Sequence, residues 1–369
     1  MRTILNCVKK WQTLIKITLF LSIVSLVIVE IIRLFKTISF DKIGEILGEL
    51  SPIKVIGLAL LGSMAVAPMM LYDRILNKEL NQKQKLSYLL ETSWTINSLN
   101  NMIGFAGLVD VGLRYSFYGD EERSEKSMQG ISRVIPYFMS GFSLFALISL
   151  IFTIIFPISM GIKQYWPALL GACLYLPIIL FVSNRKKWVY FGQLSGRAIL
   201  SLVLTSALDW ASVLSFFLLV GYVLGYNLPI YDVIPLFMIA ITIGIISMIP
   251  GSLGSFDLIM VSGLVGLGID KDQALSWLLV FRLFYYILPF CLGVILFLKN
   301  MGGRLNEKYL GIPQKVIGSL STIVLVWGLR LFAFFLVVSA IVPQELGHLP
   351  LLKELSPSTG QFVFQLPSI

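Results

Sequence analysis

The sequence predicts an all-α integral membrane protein, a polytopic helical bundle with two oppositely oriented re-entrant hairpins related as an inverted repeat. Three observations predict it. Of 369 residues, 57% are hydrophobic and 13% charged, the mean hydropathy is +0.85, and apolar runs recur at the roughly 20 residues a helix needs to cross hydrocarbon. Lys and Arg fall in short clusters between those runs, as cytoplasmic loops require. Two Gly-rich interruptions, each ending in an aspartate, stand 147 residues apart.

The chain opens with Arg2, Lys9, Lys10 and Lys16 ahead of an apolar run that continues through Ile32. No small-residue cleavage site follows, so a retained first helix over about 14–35 is expected. Residues 39–50 place Phe40, Ile43, Leu47 and Leu50 at helical spacing, with Asp41, Glu45 and Glu49 between them. That pattern predicts a short amphipathic helix at the membrane interface. Further spans are expected over about 53–72, 134–157, 165–183, 198–224, 273–298 and 316–342. Segment 88–113 carries Glu91, Asn97, Asn100, Asn101 and Asp110 and is too polar for a lipid-facing helix. Residues 1–342 thus form one transmembrane domain, and 343–369 a short extracytoplasmic tail.

The basic residues set the topology. Connections 73–87, 114–133, 184–197 and 299–315 hold four Lys or Arg each, whereas 158–164, 269–272 and 343–369 hold one each and 225–230 holds none. The rich set belongs inside, with the N-terminus cytoplasmic. Alternation then works only if 88–113 enters and leaves on the cytoplasmic face and 231–268 makes no net crossing, which gives two re-entrant hairpins, one from each side. Segment 33–54 is the exception: it has four basic residues and must lie outside.

The two interruptions share the pattern Gly-x-x-Gly-x-x-Asp. Gly104, Gly107 and Asp110 form the first copy, Gly251, Gly254 and Asp257 the second, with Met-Ile just before each. Interrupted segments at corresponding positions of inverted halves point to a midplane binding site. In the second copy Pro250 adds a missing N–H, and Asp257 is the only charge in the 37 residues between Asp232 and Asp270. A carboxylate there is costly unless paired or hydrated. Two readings stay open: a site for something polar that crosses, or a packing kink with Asp257 bonded to backbone.

The other charged residues at membrane depth are Asp73, Asp110, Arg114, Asp209 and Arg282. Arg114 follows Asp110 by four, so the two share a helical face and could simply neutralise each other. Asp209, Asp257 and Arg282 have no sequence-local partner, and one shared polar cavity satisfies them most economically. Carboxylates suit a cationic headgroup and arginines a phosphate. An aminoacylated phospholipid carries both.

At these residues the chain resembles the membrane region of the bacterial lysylphosphatidylglycerol synthase family, the multiple peptide resistance factors. Tyr72-Asp73, Asn100-Asn101-Met102-Ile103-Gly104-Phe105, Leu113 to Tyr118, Asp209-Trp210, Ile249 to Asp257 and Arg282 to Tyr286 carry the likeness, which runs from about residue 10 to 355. The family often has glutamate where Asp209 stands. The resemblance implies a bacterial plasma-membrane lipid flippase module that moves lysylphosphatidylglycerol or a related lipid to the outer leaflet. Outer-leaflet lysyl lipid protects against cationic antimicrobial peptides. It implies substrate-binding roles for Asp73, Arg114, Asp209, Asp257 and Arg282, with Gly104, Gly107, Gly251 and Gly254 as re-entrant loop glycines. The soluble aminoacyl transferase of the family, which takes lysine from lysyl-tRNA, is absent from these 369 residues. Whether the chain is an enzyme is left open: the alternative is the membrane part of a phosphatidylglycerol lysyltransferase, or an intramembrane headgroup transferase using Asp257 and Asp209 as acid and base.

Other classes are excluded or unsupported. The one histidine, His348, lies near the C-terminus, and Cys7, Cys173 and Cys291 are scattered. The membrane body therefore holds no Ser/His or Cys/His catalytic set, and there is no disulfide framework or metal spacing. No cofactor is expected. The net charge of +9 follows topology, so the expected partners are anionic and aminoacylated phospholipids, not nucleic acid. A separate aminoacyl transferase and a second copy of the chain are compatible partners.

The charge count yields a labelling experiment. In a cysteine-free background, single cysteines at 120–126 and 185–187 should be protected from an impermeant thiol reagent in intact cells, and one beside Ser358 should be labelled. Labelling at 120–126 would make 88–113 a full span.

Overall fold

The computed structural model describes residues 40–103, 108–119, 124–183, 194–247 and 254–305. The first helix, the span at 316–342, the tail and Gly104, Gly107 and Gly251 lie outside them. Among the described residues the protein is helical and has no strand.

Helix α1 (Phe40–Glu49) leads into α2 (Pro52–Val66), which continues through a 3-10 turn at Ala67–Met69 into α3 (Met70–Glu79). Next come α4 (Leu86–Ile103), α5 (Leu108–Tyr118) and α6 (Ser124–Val134). A second 3-10 turn, Ile135–Met139, joins α6 to α7 (Ser140–Ile155). The short α8 (Met160–Lys163), α9 (Trp166–Ser183) and α10 (Gly196–Val223) follow. The chain then forms α11 (Ile230–Ile246), α12 (Ser255–Gly266), α13 (Lys271–Arg282), a π-helical turn at Leu283–Ile287, and α14 (Leu288–Leu305).

Among the described residues, five continuous helical stretches are long and apolar enough to cross a membrane: Pro52–Glu79, Lys126–Ile155, Trp166–Ser183, Gly196–Val223 and Lys271–Asn300. They fall on the spans expected from hydropathy. Helices α11 and α12, of 17 and 12 residues, reach roughly 26 and 18 Å, short of the ~30 Å hydrocarbon. They pack on each other: Leu236 fills the space beside Gly263, and the Ser247 and Ser255 hydroxyls meet at 2.9 Å. Local chemistry explains several starts. Ser195 accepts from the Ala198 N–H to cap α10, and Pro52 occupies the first turn of α2, where its missing N–H is no loss.

Helix α1 forms over the residues where the amphipathic spacing predicts it. Its apolar face meets protein: Ile43 and Leu47 are buried in the core, and Lys42 pairs with Asp272 of α13 at 3.3 Å.

Two cores hold the bundle. One joins α2, α7 and α10–α13 around Phe217, Phe237, Trp277 and Phe281. Phe217 stacks on Trp277 at 4.9 Å, and its carbonyl accepts the indole N–H. The other joins α3, α4, α5 and α14, where Gly293 lets α14 close on Ser98 of α4.

All three irregular turns sit near a proline: Pro68, Pro136 and Pro289. Proline removes a helical hydrogen bond. Carbonyls at two of these turns accept from other helices, Met69 from Asn97 and Phe138 from Ser206.

Helices α7 and α10 approach closely. The Gly141 N–H donates to Ser206 Oγ at 2.7 Å, and a Cβ at Gly141 would run into the Ser206 and Ala207 backbone. Overpacking of this kind costs about 1–3 kcal/mol. Gly141→Ala should lower the melting temperature in detergent by several degrees, whereas Gly171→Ala, which meets open space, should not.

Candidate functional site

Among the described residues, the arginines buried in the bundle and the acids they meet form two centres. The first is built on α3. Successive residues on a helix point about 100° apart, so Tyr72 and Asp73 leave α3 in different directions, both buried. Asp73 faces α4 and α5. Its Oδ1 lies 2.9 Å from Arg114 Nε as a charge contact too bent for a hydrogen bond, since neither atom has a hydrogen-bond partner. Its Oδ2 accepts from Asn97 Nδ2 at 3.1 Å and from an Arg114 terminal nitrogen at 3.4 Å. Arg114 also pairs with Asp110 one turn before it and donates to Asn97 Oδ1 at 3.0 Å. The Phe138 ring covers the guanidinium at 4.7 Å, a favourable cation–π placement.

Tyr72 turns to α10. Its hydroxyl donates to Asp209 Oδ2 at 3.2 Å and lies 3.4 Å from the Phe138 carbonyl, while its ring stacks on Phe138 at 4.0 Å. Asp209 is 5% exposed, and its Oδ1 has no hydrogen-bond partner. Among the described residues no cation pairs with it.

The second centre joins α12 to α13. Gly254, at φ +97°, sits in a conformation that side-chain-bearing residues rarely adopt. Its N–H is accepted by Asp257 Oδ2 at 2.8 Å, which closes the first turn of α12. Arg282 grips the same carboxylate with both prongs, Nε to Oδ1 at 2.7 Å and a terminal nitrogen to Oδ2 at 2.8 Å. This is the strong bidentate geometry. Phe256 and Tyr286 flank the guanidinium, each at 5.7 Å. The Arg282 side chain is 9% exposed and that of Asp257 28%, so the carboxylate edge is the accessible part.

A tyrosine pair separates the centres. Tyr285 and Tyr286 meet edge-on at 4.8 Å. The Tyr285 hydroxyl accepts from Asn101 at 3.5 Å and lies in the field of Asp209, whereas Tyr286 lies in that of Arg282. The structure thus brings Asp73 to Arg114 and Asp257 to Arg282, and sets Asp209 against Tyr72. It does not bring all five residues into one contact. Asn97 and Phe138 went unread as site residues. Their sequence signals are an amide among the other polar residues of segment 88–113 and an aromatic two residues after Pro136.

Fold and centres define an integral membrane protein with ion pairs in its interior. More narrowly, the chain belongs to the family of the lysylphosphatidylglycerol synthase TM region, which it matches over residues 14–293. It is similar to the phosphatidylglycerol lysyltransferase of Bacillus subtilis (strain 168), 29% identical over 296 residues, 78% of this chain and 34% of the relative. The phosphatidylglycerol lysyltransferase of Staphylococcus aureus (strain MRSA252) is 28% identical over 280 residues, 74% of this chain and 33% of the relative. The chain spans about a third of the length of these relatives.

Removing one partner of a buried pair costs about 3–5 kcal/mol, and the exposed edge of Asp257 favours the lower figure. Asp257→Asn should therefore lower thermal stability by about 2–3 kcal/mol, and Arg282→Gln in that background should recover most of it. A double variant no more stable than Asp257→Asn alone would show that the pair does not hold α12 to α13.

Proposed function

We propose that this chain is a lipid flippase module of the bacterial plasma membrane, with its N-terminus in the cytoplasm. It moves lysylphosphatidylglycerol or a related aminoacylated phospholipid to the outer leaflet and so contributes to resistance against cationic antimicrobial peptides. The observation that carries this reading is the pairing of acids with arginines at two interior centres, Asp73–Arg114 and Asp257–Arg282. Charged groups inside a membrane bundle are expensive and mark the path of polar cargo. The second centre offers a guanidinium for phosphate and a carboxylate for an ammonium, and Asp209 at the first adds a further carboxylate. The Gly-x-x-Gly-x-x-Asp segments, as hairpins entering from opposite faces (88–113 and 231–268), give the alternation such transport needs.

A second reading, the membrane part of a phosphatidylglycerol lysyltransferase, is favoured by the names of the relatives. Purified chain incubated with labelled phosphatidylglycerol and lysyl-tRNA would give product if the chain is itself an intramembrane headgroup transferase, and none under the first reading.

The transport reading is tested in a strain lacking its own family member and supplied with this chain plus a separate lysyltransferase. Lysyl lipid reactive to an impermeant amine reagent should rise severalfold over the strain with the transferase alone, and peptide resistance should rise with it. Arg114→Lys should lose most of that gain, because an ammonium cannot reproduce the guanidinium fork. Total lysyl lipid should stay unchanged. An unchanged outer-leaflet fraction would reject transport.

A further inference from the structure

The first centre holds more negative than positive charge. Asp73, Asp110 and Asp209 are each at most 5% exposed, as is Arg114, the one cation among them. Arg114 is committed to Asp73 and Asp110. Asp209 is left with a tyrosine hydroxyl on Oδ2 and nothing on Oδ1. A buried carboxylate with neither a cation nor a full set of donors is costly.

The oxygens around it suit a small cation. They are the two of Asp209, the Tyr72 hydroxyl, the Ser206 hydroxyl one turn earlier on α10, and the Phe138 carbonyl at the 3-10 turn. Ser206 Oγ lies 2.7 Å from the Phe138 oxygen, whereas the Tyr72 hydroxyl stands at 3.2 Å from Asp209 and 3.4 Å from Phe138. A good O–H···O bond is roughly 2.7–2.8 Å long. The wider separations are close to the spacing of oxygens sharing one small ion. Carbonyls of broken helices beside an acid are where transporters hold coupling sodium ions or protons.

We propose that Asp209, with Tyr72, Ser206 and the Phe138 carbonyl, forms a coupling-ion site for a monovalent cation, a proton or a sodium ion. The ammonium of an incoming lipid displaces that cation. One carboxylate cannot be neutralised by both occupants at once, so translocation is an exchange of lipid for ion. The titratable groups facing Asp209 are Tyr72 from α3 and Tyr285 from the π turn. Of the other helices packed on α10, α7 carries none, Lys54 of α2 and Lys271 and Asp272 of α13 are exposed, Tyr231 and Asp232 lie in the first turn of α11 with Asp232 facing the Ser159 N–H, and Arg282 at the end of α13 is held by Asp257. This inference rests on the transport reading above.

The full chain is reconstituted in phosphatidylglycerol–phosphatidylcholine vesicles with a lysylphosphatidylglycerol bearing an acyl-chain fluorophore. Translocation is read as fluorophore protected from or exposed to an external quencher. One arm imposes a pH gradient without sodium, a second a sodium gradient at uniform pH, a third no gradient. One of the two gradients should raise the wild-type rate at least threefold and so identify the ion. Asp209→Asn should remove that response, and Tyr72→Phe, which keeps the ring stack but loses one oxygen, should weaken it. Translocation above protein-free vesicles that ignores both gradients overturns the exchange and leaves transport standing. A full gradient response in Asp209→Asn overturns the site. No translocation above protein-free vesicles overturns both.

Discussion

A guanidinium with no exposed surface constrains most of this bundle. Arg114 is fully buried and cannot shed its proton, so its charge must be met from within. Four segments do so. Asp73 comes from α3, Asn97 from α4, Asp110 from its own helix, and the Phe138 ring from the turn before α7. Each can reach only at one rotation and one height of its helix. A single charge thereby fixes the register of elements far apart in sequence. The proline breaks fit the same constraint. The turn at Ala67–Met69 leaves the Met69 carbonyl for Asn97, and the turn at Ile135–Met139 presents Phe138 by its ring to Arg114 and by its carbonyl to Ser206.

The two Gly-x-x-Gly-x-x-Asp copies share the acid and differ in the arginine. In the first copy Asp110 meets Arg114 one turn later on the same helix, so the pair is local and stiffens α5. In the second, Asp257 meets Arg282 from the next helix, 25 residues away, and the pair ties α12 to α13. Losing the first leaves Arg114 to Asp73 and Asn97, whereas losing the second removes a tie between two helices. Asp257 also caps its own helix through the Gly254 N–H, so one side chain sets both the start of α12 and its distance from α13.

Sequence legibility followed the range of the interactions. The spans were readable because burial in lipid demands some 20 apolar residues in a row, and Trp166–Ser183 and Gly196–Val223 fall where hydropathy put them. Asp110–Arg114 was readable because i,i+4 residues share a face. Asp73–Arg114 and Tyr72–Asp209, 41 and 137 residues apart, carry no local signature: only the tertiary path brings them together. The burial of Ile43 and Leu47 was hidden for a related reason. An amphipathic stripe looks the same whether lipid or α13 covers it.

The charge balance of the two centres also differs. The second pairs one carboxylate with one guanidinium, through two short bonds that use both carboxylate oxygens. A ligand phosphate there competes directly with Asp257 for Arg282, and a ligand ammonium competes with Arg282 for Asp257. A zwitterionic headgroup can open that pair by satisfying both halves at once, which neither ion does alone. The first centre sets Asp73 and Asp110 against Arg114 and adds Asp209, which meets the Tyr72 hydroxyl and no cation among the described residues, so its carboxylates outnumber its guanidinium. Tyr285 and Tyr286 stand between the centres and sense one each. Under the proposed transport, a lipid carrying phosphate and ammonium would meet two unequal stations, one matching the paired charges and one the cation.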